Sequence, residues 1–324
     1  MSKLGSIKKP VENEMRQFEG FFNETLKSDV PLLKIILNYI LRRKGKQMRP
    51  LLVFLSAGLN GKINESTHIA ATFIELLHTA TLVHDDVVDD SRERRGALSI
   101  NALWNSKIAV LVGDYLLTQG LLISIRKNRT DLLEIMSEAV QAMSEGELLQ
   151  LQKSWKLNIT ESVYFQIITM KTAALIAACT ASGTASVSDN PDTIKTMKEL
   201  GENIGISFQI RDDLLDYKGN GLTGKPEGND IREKKITLPL IYALDQVSSG
   251  ERKRILAIIK TKKKTSAQVK EVIRFVTDNG GLEYSEMMME KYRDKAFAIL
   301  DTYPDTQFRK AMKEFIDYTT ARLK

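Results

Sequence analysis

The stretch ESTHIAATFIELLHTATLVHDDVVDD, Glu65 to Asp90, decides the fold. Ala70, Ala71, Phe73, Ile74, Leu76, Leu77, Ala80, Leu82 and Val83 cover most sides of a helix instead of alternating as strand positions do. The segment therefore reads as one long buried helix entered through a serine or threonine cap. Asp85, Asp86, Asp89 and Asp90 gather at its C-terminal end. The helix dipole disfavours anions there by about 0.3–1 kcal/mol each, and Asp85 and Asp89, one turn apart, add roughly 0.2–0.5 kcal/mol of repulsion. A bound cation removes both penalties, and an all-oxygen donor set suits magnesium shared with phosphate. For one such motif taken alone, a solvated acidic helix end is the plain alternative.

Outward from this helix the same pattern continues. No proline occurs between Pro50 and Pro191, apolar residues recur at helical spacing (Leu32, Ile35, Ile36, Tyr39, Ile40), and sustained strand-like alternation is absent. The expected fold class is all-α. No repeat and no compositional shift marks a linker, so one domain over residues 1–324 is the economical reading. With 47 basic and 41 acidic residues the net charge is only +6, and no basic block suggests nucleic-acid binding; small anions remain plausible partners. One cysteine, Cys179, excludes an internal disulfide and points to the reducing cytoplasm. The N-terminus lacks the apolar core of a leader. The most apolar run, residues 108–125, is interrupted by Asp114 and Gln119, so the expectation is no membrane span and at most peripheral membrane contact.

The acidic pattern recurs in LGENIGISFQIRDDLLDYKGNG, where Asp212, Asp213 and Asp216 repeat the spacing of Asp85, Asp86 and Asp89 near the end of a second apolar helix. Gly201, Gly205 and Gln209 precede them at one-turn intervals, so one face passes from small to polar to acidic. If the two helices are neighbours, their aspartates could hold several magnesium ions bridged by a diphosphate. Lys171 is the only charge in the apolar run Val163–Ala181; either it snorkels from the edge of that face or it contacts an anion, with Thr172 beside it. Arg94 and Arg95 follow the first motif with guanidinium forks suited to phosphate oxygens. Lys46 and Arg49 lie in KGKQMRP, and His78 stands two turns before Asp85.

Taken together, KGKQMRP, ELLHTATLVHDDVVDDSRERRG, Gly113-Asp114, MKTAAL, FQIRDDLLDY and GKPEGNDIREKKITLPL resemble the trans-isoprenyl diphosphate synthases, in particular the long-chain polyprenyl (octaprenyl and heptaprenyl type) synthases, in order and approximate spacing over nearly the whole chain. One departure is visible: the family commonly reads Gly-Gly-Lys-Arg at the first motif, where this chain has Lys44 and Gln47 for the first glycine and the arginine. The resemblance implies an antiparallel helical bundle around a central cavity, the isoprenoid synthase fold, assembled as a homodimer. It implies catalytic Asp85, Asp86, Asp89, Lys171 and Asp212, and two or three Mg2+ ions on Asp85, Asp89, Asp212, Asp213 and Asp216. Arg94, Lys171, Thr172, Gln209, Lys225 and Lys235 would meet the allylic diphosphate; Lys46, Arg49, His78 and Arg95 would hold isopentenyl diphosphate. Gly219 to Gly228 resembles a mobile flap, and Ala80, where short-chain members tend to carry an aromatic residue, implies an open passage for a long product.

The implied reaction is head-to-tail trans condensation of isopentenyl diphosphate with an allylic diphosphate, yielding a long polyprenyl diphosphate for a quinone side chain. The alternatives are a farnesyl or geranylgeranyl type short-chain synthase and, further off, a non-catalytic subunit of a heteromeric synthase. A terpene cyclase of related fold ranks lower because both motifs here are aspartate-rich.

Overall fold

The computed structural model describes residues 3–43, 45–94, 96–156, 159–218 and 228–320. Its helices, in chain order, are α1 (Lys3–Lys8), α2 (Glu12–Thr25), α3 (Pro31–Arg42), α4 (Met48–Asn60), α5 (Glu65–Val88), α6 (Ile100–Trp104), α7 (Ser106–Arg126), α8 (Thr130–Lys156), α9 (Glu161–Ile168), α10 (Ala174–Ala185), α11 (Pro191–Lys218), α12 (Asn229–Arg232), α13 (Leu238–Asp245), α14 (Ser249–Lys260), α15 (Ser266–Asp278), α16 (Gly281–Asp301) and α17 (Gln307–Thr320). Among the described residues, extended pairing is confined to β1 (Glu93–Arg94) and β2 (Ala97–Leu98), which register Glu93 against Leu98. The chain groups into two compact units: residues 1–138, 178–198 and 303–314, and residues 139–177, 199–302 and 315–324.

In the first unit α5 is the buried helix its sequence calls for, with Ile69, Ala70, Phe73, Ile74, Leu76, Leu77 and Ala80 at most 2 % exposed. Its cap is Asn64, not a serine or threonine: the Asn64 side chain accepts from the Ser66 and Thr67 amides, and the Thr67 hydroxyl accepts from the Asn64 amide. This is a reciprocal capping box in which threonine takes the second place. Helix α7 packs along α5 through two glycines. A Cβ on Gly113 would lie 2.1 Å from His84 Nε2, and one on Gly120 would lie 2.4 Å from the Phe73 ring. Seven residues, two turns, separate them, so one face of α7 is relieved twice for one neighbour. His84 Nε2 then sits 3.2 Å from the Val110 carbonyl and 3.4 Å from Asp114 Oδ1, which gives the Gly113-Asp114 pair its structural meaning. Helix α7, interrupted in sequence at Asp114 and Gln119, is nevertheless long and apolar enough to cross a membrane by length and composition, as is the run Glu161–Ala185; core helices share that property.

In the second unit Ile206, Ile210, Leu214 and Tyr217 of α11 pack with Leu238, Leu240 and Ile241 of α13 and with Val272, Phe275 and Val276 of α15. Each such side chain withdrawn from water contributes roughly 1.5–3 kcal/mol. The apolar run holding Lys171 is not one uniform α-helix: residues Thr169–Ala173 form a π-turn between α9 and α10. A wider turn of this kind bulges the backbone, and it is seated against two glycines. A Cβ on Gly146 would come within 2.9 Å of the Lys171 amide nitrogen, and one on Gly205 within 2.5 Å of the Ala173 Cα. Gly205 thus has a definite task, close backbone approach, at the place where its helix turns from small to polar.

Candidate functional site

The first aspartate motif divides at the end of α5. Asp85 and Asp89 are exposed, one turn apart, while Asp86 is buried at 4 % exposure. Arg94, carried by β1, donates from Nε to Asp86 Oδ1 at 2.6 Å. Burial pushes the Asp86 carboxyl above the ordinary carboxylate range, and the Arg94 hydrogen bond and charge offset only part of that. Asp86, Arg94, His78, Glu75, Thr79, Leu82 and Val83 line a cavity of about 110 Å³ together with Tyr39, Arg43 and Gly45. His78 is buried at 7 % exposure. Lys46 and Arg49, on either side of the α4 start, are exposed and half-buried; Gln47 between them takes a left-handed φ of 54° as the cap residue. Lys46 and Arg49 do not line this cavity, though Gly45 does. Ala80 is buried at 1 % exposure and lies off the cavity wall, which is built from other faces of α5. Arg95 and Lys44 lie outside the described residues.

The second motif divides the same way. Asp212 is exposed and Asp213 is buried at 4 % exposure. Both Asp213 oxygens are taken: Oδ2 accepts from the Tyr164 hydroxyl at 2.6 Å and Oδ1 from Gln209 Nε2 at 2.8 Å. Asp216 has a different task from the one its spacing suggests. Its two oxygens accept from the Asn229 and Asp230 amides at 2.9 and 3.0 Å, capping the start of α12. Metal binding by Asp213 or Asp216 would have to compete with these bonds. Asp212 keeps the more accessible position of the three.

Asp212, Asp213, Asp230, Lys171, Thr172, Gln209 and Lys235 line one cavity of about 200 Å³, within the second unit. Lys171 is paired there: its ammonium meets Glu147 of α8, with Gln150 Oε1 at 3.5 Å. Its isolation within its own helix is therefore answered from a neighbouring one. Lys235 Nζ stands 2.7 Å from Glu233. Burial, then the like charges of neighbouring carboxylates, raise Asp213 to about 8 and Asp230 to about 6, Asp213 by way of Asp230 and Asp230 by way of Asp216. The Tyr164 phenol is likewise held well above its ordinary range by burial and by Asp213.

Among the described residues no three His, Cys, Asp or Glu side chains converge on one ion position. The exposed carboxylates of Asp85, Asp89 and Asp212 are hard oxygen donors of the kind that suits magnesium shared with phosphate oxygens. Reading the sequence misses Glu147, Tyr164 and Asp230. Glu147 and Tyr164 lie outside the acidic motifs, and Asp230 hides in the glycine-rich segment whose middle, including Lys225 and residues 219–227 of the expected flap, lies outside the described residues.

The polyprenyl synthetase family model matches residues 30–276. The all-trans-nonaprenyl-diphosphate synthase (geranyl-diphosphate specific) of Rhodobacter capsulatus is 36 % identical over 94 % of this chain and 93 % of its own, and the octaprenyl diphosphate synthase of Escherichia coli 35 % over 95 % and 96 %. Among solved structures, a polyprenyl synthase from Caulobacter crescentus complexed with calcium and isoprenyl diphosphate superposes with a TM-score of 0.90 at 33 % identity, covering 98 % of both chains. A geranylgeranyl pyrophosphate synthase from Bacteroides thetaiotaomicron gives 0.84 at 38 % identity over 99 % of this chain and 100 % of that one. With both acidic helix ends, the paired lysine and the all-helical isoprenoid synthase fold in hand, the chain belongs to the polyprenyl synthetase family.

Proposed function

We propose that this enzyme condenses isopentenyl diphosphate with an allylic diphosphate, head-to-tail and trans, to build a long-chain polyprenyl diphosphate that serves as a quinone side-chain precursor. The observation that carries the reading is the set of Lys171, Thr172, Gln209, Asp212 and Lys235 around a single cavity, which joins cations for a diphosphate to a carboxylate for its metal. The long product rests on the nonaprenyl and octaprenyl synthases among the relatives. The geranylgeranyl pyrophosphate synthase at 38 % identity supports the second reading, a short-chain product.

In the second unit Asp212 would hold magnesium on the allylic diphosphate, with Asp216 contributing if its amide bonds yield; in the first unit Asp85 and Asp89 would offer carboxylates to magnesium. Bound there, magnesium would supply positive charge against the leaving diphosphate. Lys171 and Lys235 add positive charge around the diphosphate oxygens, and such preorganised electrostatics is often the largest catalytic contribution. The allylic C–O bond breaks with its electron pair leaving on diphosphate. Lys46, Arg49, His78 and Arg95 hold isopentenyl diphosphate, whose double bond forms the new C–C bond and whose proton passes to the released diphosphate. Lys171 must exchange Glu147 for phosphate oxygens on binding, so Glu147 sets a resting position for the lysine.

A homodimer is part of the proposal, supported by the exposed apolar side chains Leu103, Val110 and Leu111 on α6 and α7. Cytoplasmic residence is supported by the lone buried Cys179. The test is incorporation of labelled isopentenyl diphosphate into extractable product by the purified chain with an allylic primer. Incorporation with magnesium and none with EDTA supports the reading; none in either overturns it.

A further inference from the structure

Tyr164 stands in the first turn of α9, behind the Thr160 cap, and is buried at 3 % exposure. Its hydroxyl begins a chain of hydrogen bonds that runs through Asp213 and Gln209 to Thr172. Tyr164 donates to Asp213 Oδ2, Gln209 Nε2 donates to Asp213 Oδ1, and the Thr172 hydroxyl donates to Gln209 Oε1 at 2.7 Å. The Gln209 amide turns its NH2 to Asp213 and its carbonyl to the Thr172 hydroxyl. Asp213 is the point on which both arms close. All four side chains line the cavity that also holds Lys171, Asp212 and Lys235. Thr172 sits in the π-turn seated against Gly146 and Gly205, so its backbone is fixed by packing and its hydroxyl by this chain.

Resting on the prenyl-transfer reading, we infer that Tyr164 is a positioning residue: by fixing the Asp213 carboxylate it orients Gln209 and Thr172 against the reacting end of the allylic substrate. Tyr164 makes no contact with substrate in this assignment. Its contribution is to the geometry reached in the transition state, so its loss lowers turnover and leaves ground-state binding in place.

The experiment compares the full-length wild type with Tyr164→Phe, Asp213→Asn, the double variant, Thr172→Val and Thr172→Ser, measuring kcat, KM for both substrates and thermal unfolding. Tyr164→Phe is expected to lower kcat by about ten- to a hundredfold, the scale of leaving one buried carboxyl oxygen without its hydrogen bond, with both KM values within about threefold. The double variant should be no slower than Asp213→Asn, because both break one chain. Thr172→Val should lower kcat comparably and Thr172→Ser should restore it, which keeps the test decisive should Tyr164→Phe fail to fold. A kcat for folded Tyr164→Phe within about twofold of wild type, a change confined to KM, or fully multiplicative effects in the double variant would overturn the positioning role while the wild type turns over normally. If Tyr164→Phe does not fold, a Thr172→Ser kcat as low as that of Thr172→Val overturns it. A wild type without turnover overturns the prenyl-transfer reading and this assignment with it.

Discussion

Arg94 Nε lies 2.6 Å from Asp86 Oδ1, and this bond separates the buried middle aspartate of the first motif from its exposed neighbours Asp85 and Asp89. The second motif repeats the division with other chemistry: Asp213 is buried between Tyr164 and Gln209, and Asp212 is exposed. In each pair the second carboxyl group is buried in bonds to the protein and the first is exposed.

Asp85→Ala should therefore remove activity without removing stability. Relief of like-charge repulsion at a helix C-terminus leaves the unfolding midpoint unchanged or slightly raised, while kcat falls by about a hundredfold or more for loss of a charge-stabilising ligand. Parallel thermal unfolding and turnover measurements check this, and near-normal turnover at saturating magnesium would remove Asp85 from the metal site.

Lys171→Met keeps the length and apolar stem of the side chain. The pair with Glu147 is a third exposed on both sides, so its loss should cost no more than about 1 kcal/mol. The KM for the allylic primer should rise by about tenfold or more, the effect of losing a charge-assisted contact to phosphate. An unchanged KM returns Lys171 to a purely structural partner of Glu147.

The helix bearing the first motif and its buried face were legible in sequence because nine apolar positions wrapped one continuous segment. The exposed aspartates were legible for the same reason, being placed by helical spacing. The partners of Lys171, Asp213 and Asp216 were not. Glu147 and Tyr164 reach their carboxylate or ammonium through tertiary packing, and Asp216 accepts from amides thirteen and fourteen residues onward. The π-turn at Thr169–Ala173 likewise has no signature within its own residues; the glycines that seat it are on α8 and α11.

Ala80→Phe adds a ring where the present packing leaves 1 % exposure, so it should cost about 1–3 kcal/mol through overpacking. The folded fraction should release shorter products if the tail passes this position. Chromatography of products beside a thermal melt checks it: a lowered melt with an unchanged length distribution assigns Ala80 to helix packing alone.

His68 gives a pH dependence remote from the acidic motifs. Its ring stands edge-on to Phe54 at 5.0 Å, its Nδ1 is buried without a hydrogen-bond partner, and burial lowers its pKa below 6.5 against the opposing charges of Glu14 and Glu65. The folded state thus binds the proton less readily than the unfolded chain. Its contribution to stability is present above pH 6.5 and is lost as pH falls through the depressed folded value. Urea unfolding at pH 7.5 and 5.5 should show a smaller drop for His68→Leu than for wild type; equal drops would contradict the assignment.

The most direct test of the central claim is the length of the product made by the purified wild-type chain from isopentenyl diphosphate, an allylic primer and magnesium, read by chromatography after dephosphorylation. Accumulation of heptaprenyl or longer alcohols is the predicted result. Products that stop at farnesyl or geranylgeranyl length under excess isopentenyl diphosphate would contradict it.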